Sequence, residues 1–362
     1  MRGFLILALS ISAVFADTIQ DESPNVQNEF YSVWYDATNQ TGYIGAIDTL
    51  YKTTDGGTNW NAVNINTSCP GAVKRILMKD KDNGFILTDS GICYTSDGFT
   101  TIATANMDIT TSVSGITAQY LSLEDMDLLP PCSVAISSIG TVYLSWDGGY
   151  NYIPSQLSLL TDYTLKGIAM IGCFSEPVGS GRNIHTFDFV VAGGRVLSRG
   201  GFEGIIASVR CTVDDFYLTV SCSVWAKNTY PGEFFYGLYR FDGEYYATGE
   251  NGGIYLSIDT INWQRMGTNA YNALYTVLKR RDGKLYAGGQ NILQIYENGR
   301  LVDNISLVDN FTDSLNGAIY GIHITENANT GGWEGFAVGI KSTFNPLLLR
   351  IVDLSLNVAA GR

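Results

Sequence analysis

The chain has 362 residues, of which 45 % are hydrophobic and 16 % are charged, and its formal net charge is −13. This hydrophobic content excludes a disordered chain, since it can bury a core, and the net negative charge argues against a nucleic-acid partner because phosphate would be repelled. The length fits two average domains or one large all-β domain.

The first sixteen residues have the pattern of a secretory signal peptide. Arg2 is followed by an apolar run from Phe4 to Phe15 and by the small residue Ala16, and the run is too short to span a bilayer. We predict cleavage after Ala16, which removes Arg2 and changes the net charge from −13 to −14. The alternative is a buried first strand. No later segment reaches the ~18 uninterrupted apolar residues of a membrane-spanning helix, so we predict a secreted or luminal protein.

The cysteines agree with an oxidising compartment. They are six in number, and none forms a C-x-x-C motif, which favours disulfides over a metal or redox site. Proximity in the sequence favours Cys211 with Cys222, then Cys69 with Cys93 and Cys132 with Cys173, although other pairings remain open. Four Asn-x-Ser/Thr triplets predict glycosylation at Asn39, Asn66, Asn304 and Asn310. We expect no metal and no cofactor.

One short phrase recurs along the chain, at 50–60, 93–102, 142–152 and 254–263. It consists of alternating residues, then Ser or Thr, then Asp two residues later, with glycine and an aromatic residue following in most copies. Alternation indicates a strand, the aspartate starts a turn by accepting backbone N–H groups, and glycine supplies positive φ. Each phrase therefore predicts a hairpin, in which the aspartate is structural. These aspartates are Asp55, Asp97, Asp147 and Asp259.

Three weaker copies extend the pattern to seven units. The aligned positions are Tyr51, Tyr94, Tyr143, Leu197, Tyr255, Leu293 and Leu348. A period of ~40–60 residues built from short strands is typical of β-propellers. We predict an all-β fold, a seven-bladed β-propeller with Asp-box hairpins, that forms a single domain over residues 17–362. Either 354–359 or a strand before Phe30 should complete the last blade and close the ring.

The Ser/Thr-x-Asp-x-Gly-x-x-aromatic phrase resembles the Asp-box of BNR-repeat propellers. That superfamily includes sialidases, sortilin-type luminal propellers, xyloglucan-degrading enzymes and a photosystem II assembly factor, so the resemblance implies the fold and leaves the function open. Sialidases of this fold carry their first catalytic arginine before the first box, whereas this chain has no arginine between Arg2 and Arg75. We therefore expect no sialidase activity. A glycan-active hydrolase stays the competing class, and it requires acidic residues and arginines to converge at the mouth of the channel.

The predicted inner strands indicate where the connections between blades lie. Inner strands are predicted at 30–36, 73–79, 118–123, 165–171, 234–240, 274–279 and 318–324. The connections between blades are then longest at 103–117 and at 210–233. The acidic run from Glu124 to Asp127 is interpreted as solvated loop charge, and His185 and His323 as structural residues.

The longer of these connections is the candidate binding element. It contains Trp225 and Tyr230, and we predict that it lies on the same face as Arg195, Glu250 and Tyr271, because binding residues concentrate on loops of a rigid scaffold. Alternatively, its aromatic residues form an extra hairpin against the fifth blade. The predicted function is a secreted or luminal binding module for a protein or glycan partner, with no nucleic acid, no membrane span and no catalytic residue assigned. The oligomeric state stays open.

Overall fold

The computed structural model describes residues 18–22, 24, 28–108, 122–266, 272–310, 317–342 and 345–353. Within these ranges the chain forms seven four-stranded antiparallel sheets arranged as the blades of a propeller, six of them built from four consecutive strands and the seventh from the last three strands and the first. The helical elements described are a 3₁₀ turn at Ser158–Leu160 and the short helix α1 at Leu307–Asn310. The predicted all-β, seven-bladed fold is confirmed.

The strands follow one another blade by blade, after β1 (Thr18–Asp21). Blade 1 contains β2 (Ser32–Asp36), β3 (Thr41–Gly45), β4 (Thr49–Thr53) and β5 (Asn61–Asn64), and blade 2 contains β6 (Val73–Met78), β7 (Gly84–Thr88), β8 (Gly91–Thr95) and β9 (Ala103–Thr104). Blade 3 contains β10 (Leu123–Leu129), β11 (Cys132–Ser137), β12 (Thr141–Ser145) and β13 (Ile153–Gln156), and blade 4 contains β14 (Thr164–Gly179), β15 (Arg182–Val196), β16 (Phe202–Asp214) and β17 (Thr219–Pro231).

The remaining blades continue in the same order. Blade 5 contains β18 (Phe235–Phe241), β19 (Glu244–Gly249), β20 (Ile254–Ser257) and β21 (Gln264–Arg265), and blade 6 contains β22 (Leu274–Lys279), β23 (Leu285–Gly289), β24 (Ile292–Glu297) and β25 (Arg300–Ser306). Blade 7 contains β26 (Ala318–Glu326), β27 (Trp333–Ser342) and β28 (Asn345–Asp353), together with β1. We call the strands of each blade A to D from the channel outward.

The N-terminal strand closes the ring. β1 pairs with β28, with Thr18 opposite Val352 and Asp21 opposite Leu349. The strand before Phe30 therefore completes blade 7, and the alternative segment 354–359 lies outside the described residues. Pairing β1 with β28 gives blade 7 its fourth strand and joins the N-terminal segment to the last blade, which closes the ring.

Alternating strand directions give the propeller two distinct faces. The connections from B to C and from D to the next A lie on one side, which we call the loop face, and the A-to-B and C-to-D turns lie on the other, the turn face. The four Asp-box phrases form C-to-D turns. In the first, Asp55 Oδ1 accepts the Thr53 hydroxyl at 2.8 Å and the Asn59 N–H at 2.9 Å. Asp97, Asp147 and Asp259 make equivalent bonds.

Three disulfides join the six cysteines. Cys69 pairs with Cys93 within the second blade and the connection before it, and Cys132 with Cys173 between blades 3 and 4. Cys211 and Cys222 are directly opposite in the hairpin of β16 and β17, with Cα atoms 4.1 Å apart. These are the pairs that sequence proximity favoured.

Blade 4 departs from the predicted layout. Residues 210–233 are not a connection between blades; they are mainly the end of β16, a turn at 215–218 and the 13-residue strand β17. The turn lies on the turn face, opposite to the predicted side. Leu197, which the repeat aligned with Tyr51 of strand C in blade 1, lies instead in the B-to-C turn, where its N–H donates to Gly201 O.

The inner strand of blade 3 also differs from its predicted position. It is β10 at Leu123–Leu129 rather than 118–123, and 109–121 lies outside the described residues, together with most of the predicted connection at 103–117. Glu124, Asp125 and Asp127 therefore lie on a channel-lining strand, which corrects their interpretation as loop charge. Asp125 is 6 % exposed, and such burial requires partners that a single-sequence pattern does not show.

Candidate functional site

Each inner strand carries a distinctive residue near its start on the loop face. In six blades the register between strands A and B shifts at this point, leaving one residue of strand A unpaired. These residues are Lys74, Glu124, Lys166, Tyr236, Tyr275 and Tyr320, and Tyr31 precedes β2 in the remaining blade. All seven are half-buried. A β-bulge re-aims a side chain, and here contacts between neighbours join the seven into two arcs, which we call the mouth ring.

One half of the mouth ring is aromatic. Its members, the tyrosine arc, are Tyr236, Tyr275, Tyr320 and Tyr31. Successive ring centroids are 5.1, 5.4 and 5.9 Å apart. At one end the Tyr31 hydroxyl donates to Glu29 Oε2 at 2.6 Å, and at the other end the Tyr236 hydroxyl donates to Glu250 Oε2.

Burial keeps these phenols protonated. It raises the pKa of Tyr320 to about 12. Burial also raises the pKa of Tyr31 and Tyr236 well above the ordinary value, and the hydrogen bonds to Glu29 and Glu250 add to this effect. The arc therefore presents neutral rings and hydroxyl donors at neutral pH.

The other half of the mouth ring is charged. Lys74 Nζ lies 3.2 Å from Glu124 Oε2, and Lys166 Nζ lies 2.9 Å from Glu124 Oε1. Lys74 also contacts Asp89 at 3.0 Å. Burial lowers the pKa of Lys74, but Glu124 and Asp89 outweigh it and the net shift is upward. This charged arc thus pairs two lysines with two carboxylates and balances its own charge.

Below the mouth lies a cavity of about 490 Å³ lined by the inner strands. Arginines and acidic residues converge inside it: Arg75 Nε lies 3.5 Å from Asp125 Oδ1, and Arg240 Nε lies 3.8 Å from Asp127 Oδ2. Burial raises the pKa of Asp125 to about 6, against the lowering effect of Arg75.

The two carboxylates of the channel also bond backbone groups of the next blade. Asp125 Oδ2 accepts the Ile168 N–H at 3.1 Å, and Asp127 Oδ2 accepts the Met170 N–H at 2.8 Å. The acidic cluster thus connects blade 3 to blade 4. Its oxygens accept backbone N–H groups and lie beside arginines, so they hold the two blades together.

Among the described residues, the predicted binding residues lie in different surroundings. Glu250 lies in the B-to-C turn of blade 5, at the end of the tyrosine arc. Arg195 is on the loop face but in another cluster, where its Nη2 contacts Glu203 Oε1 at 2.7 Å and its guanidinium covers the Tyr163 ring. Tyr271 lies outside the described residues.

The two aromatic candidates lie on the outermost strand of blade 4 rather than on a loop. Trp225 is 45 % exposed. Tyr230 packs against Phe235 and Tyr255, with ring centroids 5.4 and 5.0 Å away. Tyr230 therefore matches the alternative of a hairpin packed on blade 5.

The mouth ring was not predicted, although the sequence contains a pattern that marks its members. At each inner strand a buried apolar residue precedes the ring member, as in Val73-Lys74, Leu165-Lys166 and Leu274-Tyr275. Aligning inner strands on that apolar residue would have brought the seven positions together.

Among the residues that the structure describes, no group of three or more histidine, cysteine, aspartate or glutamate side chains is arranged to hold a metal ion. None of the helices described there has the length and apolar character needed to cross a membrane.

Comparison with known proteins gives consistent matches. The family described as Photosynthesis system II assembly factor YCF48 matches residues 17–156, which contain β1 and the first three blades. The photosystem II stability/assembly factor HCF136 of Arabidopsis thaliana is 27 % identical over 120 residues, and that match spans 30 % of this chain and 30 % of the relative.

Solved structures extend the likeness to the whole propeller. A structure of YCF48 bound to a D1 peptide superposes with a TM-score of 0.57 and 16 % identity, covering 92 % of this chain and 94 % of that one. An inactive virginiamycin B lyase from Staphylococcus aureus gives 0.60 and 9 %, covering 93 % and 99 %. At such identities the likeness concerns the fold, which serves both enzymes and binding proteins. The repeats, the blades and these matches together identify the chain as an Asp-box (BNR-type) β-propeller that resembles the photosystem II assembly factors.

Proposed function

We propose that this protein is a secreted or luminal binding module that engages a partner polypeptide at the mouth ring. The observation that carries the proposal is the tyrosine arc, four half-buried aromatic side chains that lie side by side, three of them at bulges of the inner strands and Tyr31 just before β2. Tyrosine is enriched in the energetically dominant part of protein interfaces, because it buries a large rigid surface and keeps a polar tip.

Two further observations support this class of partner and this compartment. YCF48, a propeller of the same fold, has been solved with a bound D1 peptide, which makes a polypeptide the first partner to test. The apolar N-terminal segment and the three disulfides favour an oxidising compartment. The sequon residues Asn39, Asn66 and Asn304 are exposed, as glycosylation requires.

A glycan-active hydrolase is the second candidate. Arginines and carboxylates do converge, but within the channel below the mouth. Asp125 and Asp127 are bound there by backbone N–H groups. The candidate predicts turnover of fluorogenic glycosides that is lost in Asp127→Asn, a change that keeps one carbonyl acceptor for the Met170 N–H.

The proposal is tested with residues 17–362 produced through a secretory pathway. A displayed peptide library and the D1 peptide are offered to the wild-type protein, to Tyr275→Ala/Tyr320→Ala and to Tyr217→Ala. Tyr217 is a matched control because it is 62 % exposed and lies on the turn face.

We expect the arc variant to lose roughly tenfold or more in affinity for the peptides that the wild type selects, and we expect the control to keep wild-type affinity. Circular dichroism and thermal unfolding verify that both variants are folded. Equal binding by the folded arc variant would place the contact elsewhere and overturn the proposal.

A further inference from the structure

We infer that the tyrosine arc receives a basic side chain of the partner, a lysine or arginine cation placed over the tyrosine rings between Glu29 and Glu250. The inference rests on the proposed function and specifies the chemistry recognised at that site. It follows from the composition of the arc, the state of its two carboxylates and the contrast with the opposite arc.

The two carboxylates at the ends of the arc contact tyrosine hydroxyls rather than basic side chains. Glu29 accepts the Tyr31 hydroxyl and Glu250 accepts the Tyr236 hydroxyl, and among the residues that the structure describes neither forms an ion pair. The two ends of the tyrosine arc therefore carry negative charge that no described lysine or arginine neutralises.

The rings add a second attraction for a cation. A cation over the face of a tyrosine is drawn to the negative face of the ring, more strongly where water is excluded. The centroids of Tyr275 and Tyr320 are 5.4 Å apart, so one ammonium or guanidinium group can contact both rings. Their neighbours Tyr31 and Tyr236 donate hydrogen bonds to the glutamates at either end of the arc.

The charged arc on the opposite side indicates which half of the mouth ring a basic side chain prefers. There Lys74 and Lys166 share Glu124 at 3.2 and 2.9 Å, and Lys74 also contacts Asp89 at 3.0 Å. The carboxylates of that arc are already paired with lysines, so it offers a further cation no unpaired negative charge. A polypeptide across the mouth would thus place its basic side chain on the aromatic side. The net charge of −13 also speeds the approach of a basic partner. A sugar, which stacks on tyrosine without needing charge, is the competing ligand.

The inference is tested with capped tripeptides that differ in one side chain, Gly-Lys-Gly, Gly-Arg-Gly and the neutral Gly-norleucine-Gly, with N-acetylglucosamine beside them. Binding is followed by NMR titration or tyrosine fluorescence. The variant is Glu29→Gln/Glu250→Gln, since glutamine still accepts the tyrosine hydroxyls. Glu176→Gln/Glu326→Gln removes the same charge from exposed positions near the turn face and is the matched control.

We expect both cationic tripeptides to bind about tenfold more tightly than the norleucine peptide, and this preference should disappear in Glu29→Gln/Glu250→Gln but persist in the control. Equal binding of the norleucine peptide, preferential binding of the sugar, an unaffected glutamate variant or no binding of any tripeptide overturns the inference. The proposed function is judged separately. If library peptides still lose affinity in Tyr275→Ala/Tyr320→Ala, it stands even when the cation preference fails.

Discussion

His323 lies on the inner strand of blade 7 and ties that blade to blade 1. Its Nδ1 accepts the N–H of Tyr35 at 3.1 Å, so this nitrogen holds no proton in the fold. Burial lowers the pKa of His323 from 6.5 to about 4, and the Arg75 charge acts in the same direction. Acid should therefore destabilise the contact between blades 7 and 1, where the ring closes.

The direction and the magnitude of this change in the free energy of unfolding follow from proton linkage. Between pH 6.5 and pH 4 the unfolded chain protonates His323 while the folded protein does not, so the free energy of unfolding falls as the pH falls through this range. The difference of about 2.5 pKa units corresponds to about 3 kcal/mol, which is fully present above pH 6.5 and lost near pH 4.

The measurement is equilibrium urea unfolding at pH 7, 5.5 and 4 for the wild type and His323→Asn. The asparagine Oδ1 replaces Nδ1 as the acceptor and does not titrate. Burial raises the pKa of Asp125 to about 6, which stabilises the fold as the pH falls, but this contribution is common to both proteins and cancels in their difference.

We expect the wild-type stability relative to the variant to decrease by about 3 kcal/mol between pH 7 and pH 4. Parallel pH dependences would refute the role given to His323.

Three further changes test the packing, the turns and the disulfides. Phe336→Ala should lower the free energy of unfolding by about 3–5 kcal/mol, because this fully buried ring packs between blades 7 and 1; a loss below ~1 kcal/mol in urea unfolding would contradict it. Asp147→Ala should cost about 1 kcal/mol, like a lost cap, and leave peptide binding at the mouth unchanged, since it lies on the turn face. Cys211→Ser/Cys222→Ser should cost roughly 2–3 kcal/mol through the unfolded state, and peptide mapping without reduction should find these two cysteines joined.

The Asp-box hairpins could be predicted from the sequence because their hydrogen bonds are local. An Asp-box is complete within a few residues, because the hydroxyl of Thr53, the carboxylate of Asp55 and the N–H of Asn59 bond one another. Each Asp-box predicts the strands on either side of it, and its recurrence along the chain predicts the propeller. Blade 4 has no such phrase, and there the prediction misplaced strand C and put its longest hairpin on the wrong face.

The mouth ring depended on tertiary structure. Lys74 and Glu124 are 50 residues apart and meet at 3.2 Å only because their blades are neighbours in the ring. Tyr31 and Tyr320 are brought within 5.9 Å by the closure of blade 7 against blade 1. The carboxylates of β10 looked like solvated loop charge, since the arginines and backbone donors that pair with them come from other blades.

The turns, the number of blades and the class of fold can be predicted from the sequence, because they follow from hydrogen bonds and alternation within short segments. Which side chains face each other across the channel depends on how the blades assemble. That choice is made by bulges at the start of the inner strands and by closure of the ring, which bring together residues from all seven blades.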